Sequence, residues 1–175
     1  MKKLLLILSI IVNCQLSIVN SQNPYNLGTM APKGSFPILK IYDGDTFTIL
    51  TPDGRRFNIR INGIDAPERT QEDGMYAREY LVQLINNERV TIYPLSIDRY
   101  GRTLATCYTY DGRDIALEML QAGMAWHYAL YDNTAAYIKA EQTARYTGEG
   151  IWANANAIDP QTYRTLTRIQ KLKHQ

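Results

Sequence analysis

The chain has only two cysteines, Cys14 and Cys107, among its 175 residues. Cys14 falls in an N-terminal segment that reads as removable, so the folded part keeps one thiol and an internal disulfide is excluded. Cys107, within Leu104 to Tyr110, reads as a buried side chain rather than a nucleophile. Histidine is equally scarce. His127 follows Trp126 in an apolar stretch and reads as structural, and His174 lies in the C-terminal tail. The N-terminal apolar run is broken by Asn13, Gln15, Ser17 and Asn20, well short of the roughly 18 apolar residues that a membrane-spanning helix needs. A large net charge is missing too. Of 19 basic and 17 acidic residues, Lys2 and Lys3 belong to the N-terminal segment, and the remaining 17 basic residues balance the 17 acidic ones. No global positive field steers a polyanion, so nucleic-acid binding would rest on local placement of Arg and Lys.

What is present fits one domain: 45% hydrophobic and 21% charged residues, with room for a core of ordinary size and none for a second domain. Residues 1–22 open with Met1-Lys2-Lys3 and an apolar stretch, the pattern of an export signal, which predicts a secreted or periplasmic protein. Ile11-Val12-Asn13-Cys14 resembles a lipobox, with Asn13 where a small residue is expected, so a lipid anchor at Cys14 is the lesser alternative. Residues 23–34 hold Pro, Gly and Asn without apolar periodicity and read as a linker. The domain is expected over 35–155. Residues 156–175 form a basic tail whose Arg164, Arg168, Lys171 and Lys173 have no acidic neighbour after Gln161; a frayed, solvated terminus is the expectation, with a nucleic-acid-binding arm the lesser alternative.

Alternating apolar residues predict strands over Phe36 to Tyr42, Thr46 to Leu50 and Arg55 to Ile61, the last two joined by a hairpin at Pro52-Asp53-Gly54. The period changes over Gly74 to Asn86, where Ala77, Leu81, Leu84 and Ile85 form a helical stripe. Strand pattern returns over Arg89 to Leu95 and Thr103 to Tyr110. Asp114 then reads as the N-cap of a helix stopped by Gly123, and a further helix spans Thr134 to Thr147, capped by Thr134 and closed at Gly148, with Trp152 docking after it. The order βββαββ followed by helices predicts a mainly β, α+β fold: a five-stranded OB-type barrel with about three packed helices.

The chemistry concentrates between Ile41 and Glu68. Asp43, Asp45, Asp65 and Glu68 are carboxylates and Arg60 is a cation, and the hairpin brings Asp45 near Arg60. Gly63 to Glu68 leaves the strand as a stiff loop, since Pro67 holds its own φ and pushes Ala66 away from helix. Any of these residues alone, like Arg102 after Gly101, has a bland reading as turn former or surface ion pair, but Arg60 and Arg102 with four acids at one barrel end require a purpose.

Three motifs, Asp43-Gly44-Asp45-Thr46, Arg60 through Gly63-Ile64-Asp65-Ala66-Pro67-Glu68, and Asp98-Arg99-Tyr100-Gly101-Arg102 before Leu104-Ala105, resemble those of the staphylococcal (micrococcal) nuclease family, and the likeness covers roughly Ile38 to Trp152. The resemblance implies that Asp45, Asp65 and the backbone carbonyl of Ala66 bind calcium (Ca2+). It implies that Glu68 is the catalytic carboxylate and that Arg60 and Arg102 hold the scissile phosphate. Asp43 would stand beside the metal, and Tyr100 and Tyr131 would contact phosphate and base. The implied activity is calcium-dependent hydrolysis of DNA and RNA leaving 3′-phosphate ends, by a monomer without a stable protein partner. The departures are Ala66, where the best-known member has threonine, and a short Arg69 to Gly74 segment carrying Glu72 and Asp73 in place of a lysine-rich loop. The alternatives are a non-catalytic nucleic-acid-binding barrel and an oligosaccharide-binding barrel.

Overall fold

The computed structural model describes residues 28–85 and 89–173, so the leader expected over residues 1–22, and Cys14 with it, lies outside the described residues. Strand β1 (Gly34–Ile41) is followed by β2 (Thr46–Leu50) and β3 (Arg56–Ile61), and the β2–β3 hairpin turns where Gly54 takes a φ of 81°. Its Thr51 N–H donates to the Arg55 carbonyl at 3.0 Å and its Gly54 N–H to the Thr51 carbonyl at 2.9 Å. Short strand β4 (Ile64–Asp65), helix α1 (Gly74–Ile85), strands β5 (Arg89–Ile97) and β6 (Thr103–Tyr108) and helix α2 (Ile115–Gln121) come next. They are followed by β7 (Trp126–His127), α3 (Ala135–Thr147), a 3-10 turn (Gly150–Ala153) and α4 (Pro160–Lys173).

The five long strands close a barrel in the order β1-β2-β3-β6-β5, with β3 and β6 parallel and the other pairs antiparallel. Closure leaves no long sheet edge for another chain to extend. Alternation places Phe57, Ile59 and Ile61 of β3 and Ala105 and Cys107 of β6 inside, where they meet Phe47 and Ile49 of β2 and Val90 and Ile92 of β5. Helix α1 contributes Ala77, Leu81 and Ile85 to this core, and α2 contributes Ile115, Ala116, Met119 and Leu120. Each fully buried Ile, Leu or Phe adds roughly 1.5–3 kcal/mol. The Asp114 carboxylate caps α2 by accepting the Ala116 N–H at 2.9 Å and the Leu117 N–H at 3.2 Å.

Four local expectations change. Ile64 and Asp65, expected on a loop, form β4 and pair antiparallel with His127 and Trp126, which anchors the loop to a segment more than sixty residues away. Thr134 stands at the N-cap position of α3 but makes no side-chain cap bond; its own N–H and hydroxyl donate instead to the Asp132 carboxylate, at 2.8 and 3.2 Å. The linker expected through Gly34 ends earlier, because Ala31 is buried and its N–H donates to Thr103 Oγ1 at 2.9 Å. The tail expected to fray is helical from Pro160 to Lys173: Asp159 accepts the Thr162 N–H at 2.9 Å, and Pro160 supplies the preset φ of a first helical position. That raises the α-helices among the described residues from the expected three to four.

Candidate active site

The site is built on two backbone segments that approach closely. After β1 the chain turns through Asp43-Gly44-Asp45, where the Asp43 carboxylate accepts the Asp45 N–H at 3.1 Å. A Cβ on Gly44 would lie 2.7 Å from the Ala66 Cβ and 3.0 Å from the Ala77 Cβ, so glycine is what lets this turn sit against the Ala66 loop. Asp45 Oδ2 then accepts the Ala66 N–H at 2.8 Å.

Arg60, at the end of β3, fills the space between the two segments. Register places it beside Thr46 on β2 and Leu104 on β6. Its Nη1 donates to the carbonyls of Ile61 and Ile64 at 2.9 and 2.8 Å and lies 3.1 Å from Asp45 Oδ2, while Nη2 donates to Asp65 Oδ1 at 2.8 Å. Arg60 is 8% exposed, Asp45 4% and Asp65 5%, so these charges are withdrawn from water and must satisfy one another. Burial raises the Asp65 carboxyl above its ordinary range, the nearby Asp45 adding to the rise and the arginines opposing it. Burial, and then Asp45, push the Asp43 carboxyl up to about 7. This corner thus carries more carboxylate than its surroundings solvate, a condition that favours added positive charge.

Arg102 enters from the turn before β6. Asp98 Oδ1 accepts the N–H groups of Tyr100 and Arg102 at 2.8 and 3.0 Å, and Asp98 Oδ2 accepts Arg102 Nε at 2.7 Å. Burial raises the Asp98 carboxyl, but the hydrogen bonds from Arg102 outweigh this and hold it below its usual range. Arg102 Nη1 donates to Thr46 Oγ1 at 3.2 Å, and Thr46 Oγ1 donates to Asp45 Oδ1 at 2.9 Å. A single polar chain therefore runs from Arg102 through Thr46 and Asp45 to Arg60.

All nine residues expected at the site, Asp43, Asp45, Arg60, Asp65, Ala66, Glu68, Tyr100, Arg102 and Tyr131, line one cavity of about 890 Å³. Tyr100 and Tyr131 stand at its rim, 63% and 71% exposed, and Arg102 lies 5.5 Å over the Tyr100 ring. Tyr128, which was not expected there, lines the cavity and packs against Tyr131, the ring centres 4.9 Å apart and the planes tilted by 49°. His127 is structural, its Nε2 lying 3.2 Å from Asp132 Oδ1. Cys107 is buried, and that burial pushes its thiol well above the usual range, leaving an inert side chain.

A second residue not expected at the site is Arg164 of α4. Its Nη2 donates to Asp65 Oδ2 at 2.8 Å, and its Nη1 donates to Glu68 Oε1 at 2.7 Å and to Asp65 Oδ1 at 3.3 Å. Burial opposes its charge, yet the bonds to Asp65 and Glu68 hold its pKa above the ordinary value. The signal available was Asp159-Pro160, an N-cap followed by a first-turn proline, which marks a helix able to carry Arg164.

Two buried aspartates offer hard oxygen donors of the kind calcium selects, and the surplus of carboxylate fits a cation. They do not make a closed cage: among the described residues no three His, Cys, Asp or Glu side chains are grouped to hold a metal.

A closed five-stranded barrel with paired arginines and carboxylates at one end defines a protein equipped to hold and polarise a phosphodiester. The family model described as staphylococcal nuclease homologue matches residues 58–154, more than half of the chain. An uncharacterized endonuclease of Haemophilus influenzae is 38% identical over 137 residues, which cover 78% of this chain and 76% of that one. An uncharacterized endonuclease of Escherichia coli is 32% identical over 128 residues, 73% of this chain and 82% of that one. The staphylococcal-like nuclease CAN1 of Arabidopsis thaliana is 34% identical over 110 residues, 63% of this chain but only 34% of that longer protein. The chain belongs to the staphylococcal nuclease family.

Proposed function

We propose that the chain is a nuclease, a hydrolase of phosphodiester bonds in DNA and RNA, that is exported, requires calcium and leaves 3′-phosphate ends. The observation that supports this most is the convergence of Arg60, Arg102, Asp45, Asp65 and Glu68 on one cavity. Nuclease chemistry rests further on family membership; calcium, export and product ends rest on the resemblance of the site motifs and the leader.

Asp45 and Asp65, with the Ala66 carbonyl, would hold calcium, which would supply positive charge that stabilises the negative charge growing on the phosphate. The side chains do the rest. Arg60 and Arg102 are planar and permanently charged, and each can present two donors to phosphate oxygens, so their grip tightens as charge grows during attack. Glu68 orients the attacking water and accepts its proton, an effect of typically 10²- to 10⁴-fold. The water adds to phosphorus as its proton passes to Glu68, the bond to the 5′ oxygen breaks, and that oxygen takes up a proton from solvent. Tyr100 and Tyr131 at the rim offer faces for the substrate's sugar, phosphate and base.

The test is release of acid-soluble nucleotides from single-stranded DNA and from RNA, in calcium, in magnesium and in chelator. Calcium-dependent release that Glu68→Gln and Arg102→Ala abolish is the expected result. Oligonucleotide binding without release in any metal would instead favour a non-catalytic binding barrel.

A further inference from the structure

Asp65 accepts more donors than a free metal ligand would. Its Oδ1 receives Arg60 Nη2 at 2.8 Å and Arg164 Nη1 at 3.3 Å, and its Oδ2 receives Arg164 Nη2 at 2.8 Å. The Arg164 fork therefore closes on both oxygens of this carboxylate, and its remaining bond reaches Glu68 Oε1 at 2.7 Å. A cation held by Asp65 needs an oxygen that Arg164 occupies. It would also set a second positive charge within a few ångströms of the guanidinium, and the two would repel.

The helix that delivers Arg164 is attached in a way that permits its release. Besides Arg164, its ties among the described residues include the buried Pro160, the Tyr163 hydroxyl bonded to the Thr70 carbonyl at 2.9 Å and to Thr70 Oγ1 at 3.2 Å, and, just before the helix, Gln71 Nε2 donating to the Ile158 carbonyl at 2.5 Å. Leu166, Ile169 and Leu172 stay 46%, 44% and 65% exposed, so its C-terminal half adds little apolar burial. The Arg164 side chain is itself 44% exposed. Partly solvated ion pairs are weak attachments, which a divalent cation can outbid at the same carboxylate.

We propose that Arg164 is a resident competitor of calcium at Asp65: with α4 docked it neutralises Asp65 and engages Glu68, and calcium binding displaces it. The C-terminal helix thereby sets the affinity of the site for its cation. Coupling of this kind is reciprocal, so whatever weakens docking tightens calcium binding, and calcium in turn loosens α4. The proposal rests on the calcium site argued above.

The experiment is calorimetric titration of the purified chain with calcium alone, without nucleic acid, for wild type, Arg164→Ala, Arg164→Gln and Arg168→Ala. Amide hydrogen exchange over residues 160–173 is followed with and without the cation. Both Arg164 variants are expected to bind calcium more tightly, within the roughly 5- to 150-fold range of ordinary allosteric couplings. Arg168→Ala, on the same helix but without a bond to the site carboxylates, should match wild type. Calcium should speed exchange along α4 in wild type, while the Arg164 variants exchange fast from the start. Equal or weaker calcium binding in both Arg164 variants overturns the proposal, as does slower exchange of α4 on adding calcium. Absence of calcium binding in every variant overturns it too. DNA digestion in that case still separates the two readings, since release of nucleotides with another metal keeps the nuclease and discards only the calcium competition.

Discussion

Asp45 Oδ2 and the Ala66 N–H, 21 positions apart in the chain, are joined by a 2.8 Å hydrogen bond inside the barrel end. This bond ties the Asp43–Asp45 turn to the loop that carries Asp65 and Glu68, so the two candidate metal ligands are positioned by one contact as well as by Arg60 between them.

Asp45→Asn tests the metal assignment because the amide can keep that contact. Its carbonyl oxygen still accepts from Ala66, while one negative donor is lost. The fold should hold, with a melting temperature close to wild type, and the calcium concentration for half-maximal nucleotide release should rise by roughly tenfold or more. An unchanged calcium requirement would place the metal elsewhere.

Arg60→Lys keeps the charge but not the fork. One ammonium cannot reach the carbonyls of Ile61 and Ile64 and both aspartates at once, and a buried group left unpaired costs about 1–3 kcal/mol. Nucleotide release should fall by roughly 10²- to 10³-fold, the range seen on losing one transition-state donor, and thermal unfolding should come several degrees earlier. A kcat near wild type would remove Arg60 from the phosphate.

The barrel and its site motifs were legible in the sequence because both are local in origin. Period-2 alternation carries Phe57, Ile59 and Ile61 to the core, and the β2–β3 register pairs Thr46 with Arg60, so that Asp45, one residue before β2, meets the end of β3. What escaped depends on distant partners. The β4 pairing of Asp65 with Trp126 needs a segment that no local window includes, and the Arg164 bonds to Asp65 and Glu68 span 99 and 96 positions. In the tail, the run of basic residues suggested solvation, and the exposed Leu166, Ile169 and Leu172 give no core-facing stripe to contradict it.

Asp98→Asn separates positioning of Arg102 from the turn itself. The amide oxygen can still accept the backbone N–H groups of Tyr100 and Arg102, but the group replacing Oδ2 no longer accepts Arg102 Nε. Arg102 then keeps only its donation to Thr46 among these partners and gains rotamer freedom. Activity should drop about tenfold, chiefly in kcat, with stability near wild type, and Asp98→Glu should restore less than the native aspartate because its longer arm displaces the guanidinium. Wild-type kcat in Asp98→Asn would show that Arg102 is held without this carboxylate.

Gly74→Ala sets helix propensity against steric fit, and the two predict opposite signs. Position 74 begins α1, where alanine in place of glycine would ordinarily stabilise a helix by up to about 1 kcal/mol. Here an added Cβ would lie 1.9 Å from the Glu68 carbonyl oxygen, 2.8 Å from its carbonyl carbon and 3.1 Å from the Arg69 Cα. Those neighbours are backbone, so no side-chain rotation relieves the clash, and overpacking of this kind costs typically 1–3 kcal/mol. The steric cost wins, and the segment that must move is the one that carries Glu68. Thermal unfolding should therefore come earlier, and nucleotide release should fall more steeply than stability, because a shift of about 1 Å in a catalytic carboxylate can cost on the order of 10²-fold. A stabilised variant with full activity would show that the Glu68 loop stands farther from α1 than these distances state.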